Sequence, residues 1–195
     1  MNHGCPAGGR FFDMLDFSKN YFELFGLPVD FIVDNQALAE RYRELQRVIH
    51  PDRYANASEQ ERRLSIQGAS LVNEAYETLK DPISRAGYLL TLHGIQMDAL
   101  QETTQDMAFL MEQMELREEL AEIRSQADPY AAILELSGRI NQQIKSLVGR
   151  MALQFESATP SALEAAREIL RKMRFLQKLR REAEAVEAEL EDELA

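Results

Sequence analysis

A histidine and an aspartate separated by one proline, His50-Pro51-Asp52, put an imidazole and a carboxylate into one short segment. Such a pair can act as a base and the group that orients it. A nucleophile would complete that chemistry, and no Ser, Cys or Thr stands in a recognisable nucleophile motif. The other histidines are His3 and His93, and the one cysteine is Cys5. They offer no second cluster of ligands for zinc or haem, and a single cysteine makes no internal disulfide. No G-x-x-x-x-G-K-[ST] loop is present to cradle a nucleotide phosphate. The expectation is a chain with no catalytic residues, no metal and no cofactor. A polar helix end closed by a proline accounts for the tripeptide without chemistry.

The elements that position it are helices, because the alternation of a sheet protein is missing. A short helix is expected from Lys19 to Phe25, stopped by Gly26-Leu27-Pro28. Asp34 caps a second helix with Leu38, Tyr42, Leu45 and Val48 or Ile49 on one face. It ends at His50, since Pro51 disfavours the helical conformation in the residue before it. Ser58 and Glu61 form a capping box that opens the antiparallel partner. Its stripe is Leu64, Leu71, Val72, Ala75, Tyr76 and Leu79. Asp81-Pro82 starts another short helix, closed by Gly94. Arg43, Arg47 and His50 share one face of the second helix, with Arg53 just beyond. They form a basic strip, although Glu40 and Glu44 lie near.

The chain has 195 residues, 45% of them hydrophobic, and a formal charge of −11. That charge argues against nucleic acid and anionic membrane surfaces as partners. No apolar run is long enough to cross a membrane. The expected class is a soluble, acidic, intracellular protein. Residues 1–18 fit neither a secretory signal nor a transit peptide and are expected to form a disordered extension. Residues 19–93 form a first all-α domain, 94–105 a polar linker, and 106–195 a three-helix bundle. Asp128-Pro129 and Thr159-Pro160 divide the bundle helices, and short connections make neighbours antiparallel. The end of the last helix, from Glu182 on, is acidic without a base, opposes the macrodipole and is expected to fray.

The first bundle helix, expected over 106–127, has two apolar faces. At about 100° per residue, Phe109, Leu116, Leu120, Ile123 and Ala127 gather on the core side. Leu110, Met111 and Met114 fall nearly opposite and merge into Glu115, Glu118 and Glu122. On the last helix Ala166, Ile169, Leu170 and Met173 form the core stripe. Phe175 points away, near Leu179 and Lys172, as an exposed aromatic.

Residues 21–90 resemble a J domain. The resemblance is carried by Tyr21-Phe22-Glu23-Leu24-Phe25-Gly26, by Tyr42, Leu45 and His50-Pro51-Asp52, and by Asn73-Glu74-Ala75-Tyr76-Glu77-Thr78-Leu79 with Pro82 and Arg85-Ala86. It implies an all-α J domain that binds a DnaK-type chaperone and stimulates its ATPase. The implied contacts are His50, Pro51 and Asp52, with Arg43, Arg47 and Arg53 docking on an acidic surface. Many J domains have Lys where Arg53 stands.

The bundle resembles the C-terminal domain of the HscB family, J-proteins dedicated to iron–sulfur cluster assembly. Thr104, the run from Phe109 to Leu120, Arg174-Phe175-Leu176-Gln177-Lys178-Leu179-Arg180 and the segment from Arg85 to Gly94 carry that resemblance. It implies that the bundle binds an IscU-type scaffold through Leu110, Met111, Met114, Glu115, Glu118, Glu122 and Phe175. It further implies delivery to an HscA-type chaperone, in a bacterial cytoplasm. There is no Gly/Phe-rich stretch or repeated C-x-x-C module. The alternative is a general J-protein for unfolded clients, which would need a broader apolar surface.

Overall fold

The computed structural model describes residues 18–50, 54, 57–95 and 106–194, and every regular element among them is helical. The elements are α1 (Tyr21–Phe25), α2 (Asn35–Ile49), α3 (Glu59–Lys80), α4 (Pro82–Leu92), α5 (Met107–Glu122), α6 (Pro129–Ser157) and α7 (Pro160–Leu194). The helices divide into two compact units, the first reaching Leu89 and the second starting at Leu90.

In the first unit each helix start is a local side-chain event. Asn20 opens α1 through a capping box with Glu23, their reciprocal bonds measuring 3.0 and 2.9 Å. Gly26 closes it in the left-handed region, φ 63°, where a side chain would be strained. Asp34 accepts from the Gln36 and Ala37 amides at 2.9 and 3.1 Å to start α2. Ser58 and Glu61 form the expected box at α3. Asp81 ends α3 and accepts from the Ser84 amide at 2.8 Å, with Pro82 as the first residue of α4.

Helices α2 and α3 run antiparallel. Tyr42 stacks on Tyr76 at 4.1 Å and its hydroxyl donates to Asn73 Oδ1 at 2.9 Å. At the other end the buried Ser65 hydroxyl donates to the Ile49 carbonyl at 2.8 Å. The core beneath them holds Phe22, Phe25, Phe31, Leu38, Ile49, Val72, Ala75, Leu79, Ala86 and Leu89. Leu64, Leu71 and Tyr76 are only half-buried, while the small residues Ser65 and Gly68 occupy fully covered positions of the α3 stripe. Tyr21 stacks on Tyr88 at 4.3 Å and donates to Glu74 Oε1 at 2.9 Å. Burial, then the Glu74 carboxylate, push its hydroxyl up to about 12. Arg85 reaches the Leu79 carbonyl at the end of α3 and lies over the Phe31 ring at 5.2 Å.

The second unit is a bundle of one short and two long helices. Helix α6 has 29 residues and α7 has 35. At 1.5 Å per residue they extend about 44 and 52 Å. Ile133, Leu136, Ile140 and Met151 of α6 face Ala166, Leu170, Met173, Leu176 and Leu179 of α7, all buried. Tyr130, at the start of α6, donates to Glu191, near the end of α7, so these two are antiparallel. Helix α5 lies antiparallel to α6, with Gln143 donating to Glu112 at 2.7 Å and Arg139 paired with Glu119. It lies parallel to α7, with Asp106 on Lys172 at 2.6 Å and Phe109 on Phe175.

One expectation for the bundle changes. The α-helix stops at Glu122 and tightens into a 3-10 turn, Ile123–Ser125, so Ala127 leaves the core register and is exposed. Helix α7 is wound through its acidic end to Leu194. That same 3-10 turn carries Arg124, which binds Glu189 and, at 2.8 Å, Glu193. A cation from a neighbouring element offsets what the macrodipole costs. The linker and residues 1–18 fall, except for Gly94, Ile95 and Ser18, outside the described residues.

Candidate partner-docking surfaces

His50 is the last described residue of its tripeptide. It stands exposed at the end of α2 with φ −55° and ψ 126°, out of the helical region that a following proline disfavours. Pro51, Asp52 and Arg53 lie outside the described residues. Two ties hold this helix end. Ser65 grips the Ile49 carbonyl, and the Tyr54 hydroxyl donates to the Val48 carbonyl at 3.3 Å. Neither tie belongs to the sequence expectation. The signal for Ser65 is its place seven residues before Val72, a small polar residue in the core register of α3.

Arg43 and Arg47 are exposed on the same face as His50. Arg41 pairs with Glu44 at 3.0 Å, one turn before Arg47. The strip therefore presents cations beside an imidazole at a helix end. Such a surface suits electrostatic docking on an acidic partner.

Helix α5 presents a different surface. Its core side buries Phe109 and Leu116, and the 3-10 turn after it buries Ile123. Leu120 is half-buried. One flank meets α6 through Glu112 and Glu119, and the other meets α7. The remaining face carries Met111 and Met114, 61% and 63% exposed, with Glu115, Glu118 and Glu122 also exposed. Leu110 is half-buried on the edge towards α7. Met107, which the sequence expectation does not include, is 69% exposed one turn earlier on this face. Its signal is the spacing i, i+4, i+7 shared with Met111 and Met114.

Phe175 is a correction. It is half-buried rather than exposed, and Leu179 beside it is in the core. Its ring meets Phe109 edge to face, centroids 5.7 Å apart, and the Arg117 guanidinium lies over it at 5.3 Å. Reading α7 alone places Phe175 away from the α7 stripe. Helix α5 arrives on that side and covers part of the ring. Six of the seven residues implied for scaffold binding lie on α5, and the seventh, Phe175, lies on α7. Below them a groove of about 540 Å³ between α5 and α7 is lined by Arg117, Leu120, Arg124, Lys178 and Glu182.

Asp106 is the N-cap of α5, accepting from the Phe109 amide at 3.1 Å. The Lys172 ammonium, and then that amide, hold its carboxyl below the usual range. Lys172 also lies over the Phe109 ring at 5.0 Å, so one cation fixes both the start of α5 and its first core residue. Among the described residues no helix is long and apolar enough to cross a membrane, and no group of His, Cys, Asp and Glu is placed to hold a metal ion.

Residues 20–88 match the DnaJ domain, and residues 105–184 match the HSCB C-terminal oligomerisation domain. An all-α J domain joined to this bundle defines a J-domain co-chaperone, a class that assists a chaperone rather than one of catalysts. The "Co-chaperone protein HscB homolog" of Vibrio atlanticus is 47% identical over 171 residues, covering 88% of this chain and 98% of that one. The solved structure of the chaperone HscB from Vibrio cholerae superposes with a TM-score of 0.80 at 43% identity, covering 88% of this chain and 99% of the other. The crystal structure of human co-chaperone protein HscB gives a TM-score of 0.80 at 35% identity, covering 87% and 83%. The chain belongs to the HscB family of co-chaperones.

Proposed function

We propose that this co-chaperone carries an IscU-type iron–sulfur cluster scaffold to an HscA-type, DnaK-like chaperone and stimulates that chaperone's ATPase, so assisting the maturation of iron–sulfur proteins in the cytoplasm. Residues 19–93 are the chaperone-facing domain, with His50, Pro51 and Asp52 as the contact loop and Arg43, Arg47 and Arg53 as the electrostatic strip. Residues 94–105 link it to the bundle, 106–195, which binds the scaffold through Leu110, Met111, Met114, Glu115, Glu118, Glu122 and Phe175. The observation that carries this reading is the face of α5, where exposed methionines run into exposed glutamates on a helix whose other side buries Phe109 and Leu116. A face of that size, rimmed by acids, suits one folded partner better than varied unfolded clients. Joining both sites in one chain raises the effective concentration of the scaffold at the chaperone.

The test is the steady-state ATPase of the HscA-type chaperone with this protein, with and without scaffold. Stimulation that needs His50 and rises further with scaffold supports the reading. Stimulation indifferent to scaffold favours the general J-protein.

A further inference from the structure

We infer that Met107, Met111 and Met114 are an oxidation site whose conversion to sulfoxides releases the scaffold, an inference that rests on the scaffold reading above. Among the described residues the methionines divide sharply. Met151 and Met173 have no exposed surface, whereas Met107, Met111 and Met114 are 69%, 61% and 63% exposed on one face of one helix. Oxidation of a thioether follows its access to the oxidant, so the three surface sulfurs react first. Met107 thereby joins the docking face as a residue assigned no role by the family resemblance.

The step is a two-electron oxygen transfer from a peroxide. The O–O bond of hydrogen peroxide breaks, one oxygen forms the S–O bond, and the other leaves as water. Sulfur is oxidised by two electrons and the peroxide is reduced by two. A flexible apolar side chain becomes a polar one with a strong acceptor oxygen. Covering that oxygen with an apolar partner strips its water, and an unpaired buried polar group is costly. The neighbouring Glu115 and Glu118 give no relief, because a carboxylate accepts hydrogen bonds and has none to donate. Methionine sulfoxide reductases reverse the change, which makes it a switch rather than damage.

The experiment treats the full chain, carrying Cys5→Ser to remove the thiol, with graded hydrogen peroxide. Scaffold Kd is measured before and after, and peptide mapping locates the sulfoxides. The expected result is oxidation of Met107, Met111 and Met114 ahead of Met151 and Met173, with Kd rising at least about tenfold, a change of about 1.4 kcal/mol. Treatment with sulfoxide reductases is expected to return the original Kd. In the M107L/M111L/M114L variant the ratio of Kd after to before treatment should stay near one, whatever its starting value. Unchanged binding by the oxidised protein overturns the inference and leaves the scaffold reading standing. So does a loss of binding that persists after repair, or that tracks oxidation elsewhere. Absence of binding before any peroxide overturns the scaffold reading itself.

Discussion

Helices α2 and α5 are built on the same plan and offer opposite surfaces. Each buries one face and presents the other. The presented face of α2 is Arg43, Arg47 and His50, polar and cationic. That of α5 is Met107, Met111 and Met114 running into Glu115, Glu118 and Glu122. Their supports differ as well. Helix α2 is held by polar ties, Tyr42 and Gln46 on Asn73 and Ser65 on Ile49. Helix α5 is held by aromatic and aliphatic packing with charged clamps at its flanks, Lys172 on Asp106 and Arg139 on Glu119. The lesson is that one chain can carry two surfaces of different chemistry. A cationic strip attracts at a distance and is weakened by salt. The methionines of α5 bind by desolvation, a contribution nearly indifferent to salt, so any salt dependence there comes from the glutamate rim.

The largest expected effect separates the two faces outright. His50→Gln is expected to abolish ATPase stimulation and leave scaffold affinity unchanged, as read by parallel ATPase and binding assays. Loss of both would collapse the distinction. Next, Met111→Ala with Phe175→Ala is expected to weaken scaffold binding by about 1–4 kcal/mol if these are anchors of the interface. Chaperone stimulation without scaffold should not move. Because Phe175 also packs on Phe109, thermal unfolding of the double variant must be compared with Met111→Ala alone.

A smaller effect probes the supports. Ser65→Ala leaves the covered Ile49 carbonyl without its partner, which costs about 1–3 kcal/mol. Amide hydrogen exchange should lose protection in α2 and α3 and keep it in α6 and α7. An equal loss in both units would mean that the two are energetically one. The smallest effect lies at the start of α5. The folded-state pKa of Asp106 is lowered by Lys172, so the stability it contributes is present above the unfolded carboxylate value of about 3.9 and is lost as pH falls. Asp106→Asn keeps a capping side chain and removes that charge. It should flatten the acid limb of the unfolding curve slightly, with no change at neutral pH beyond the lost ion pair.

Much of this architecture is legible in the sequence. Asp34, the Ser58–Glu61 box and Asp81-Pro82 mark where helices start, and the structure places the caps there. The opposition of Phe109 to Met111 and Met114 follows from angular spacing alone, and the exposures agree with it. The Asn20 box was equally local and equally readable, yet Lys19 is the expected start of α1. The misses are of another kind. Phe175 turns out to be half-covered and Ala127 exposed.

What the sequence determined by itself is therefore what depends on residues within about one helical turn of each other. Caps, stops and the two faces of a helix are set at that range, and the motifs of a J domain followed by an HscB-type bundle are read from the same short segments. Only the tertiary structure decided which of two apolar faces a neighbour covers. Phe175 is half-hidden because α5 crosses it with Phe109 and Arg117, and the acidic end of α7 has a cation beside it because Arg124, 65 and 69 positions away, meets Glu189 and Glu193. Such contacts depend on the register between helices, and that register is fixed by the packing of whole faces, which no short window of sequence contains.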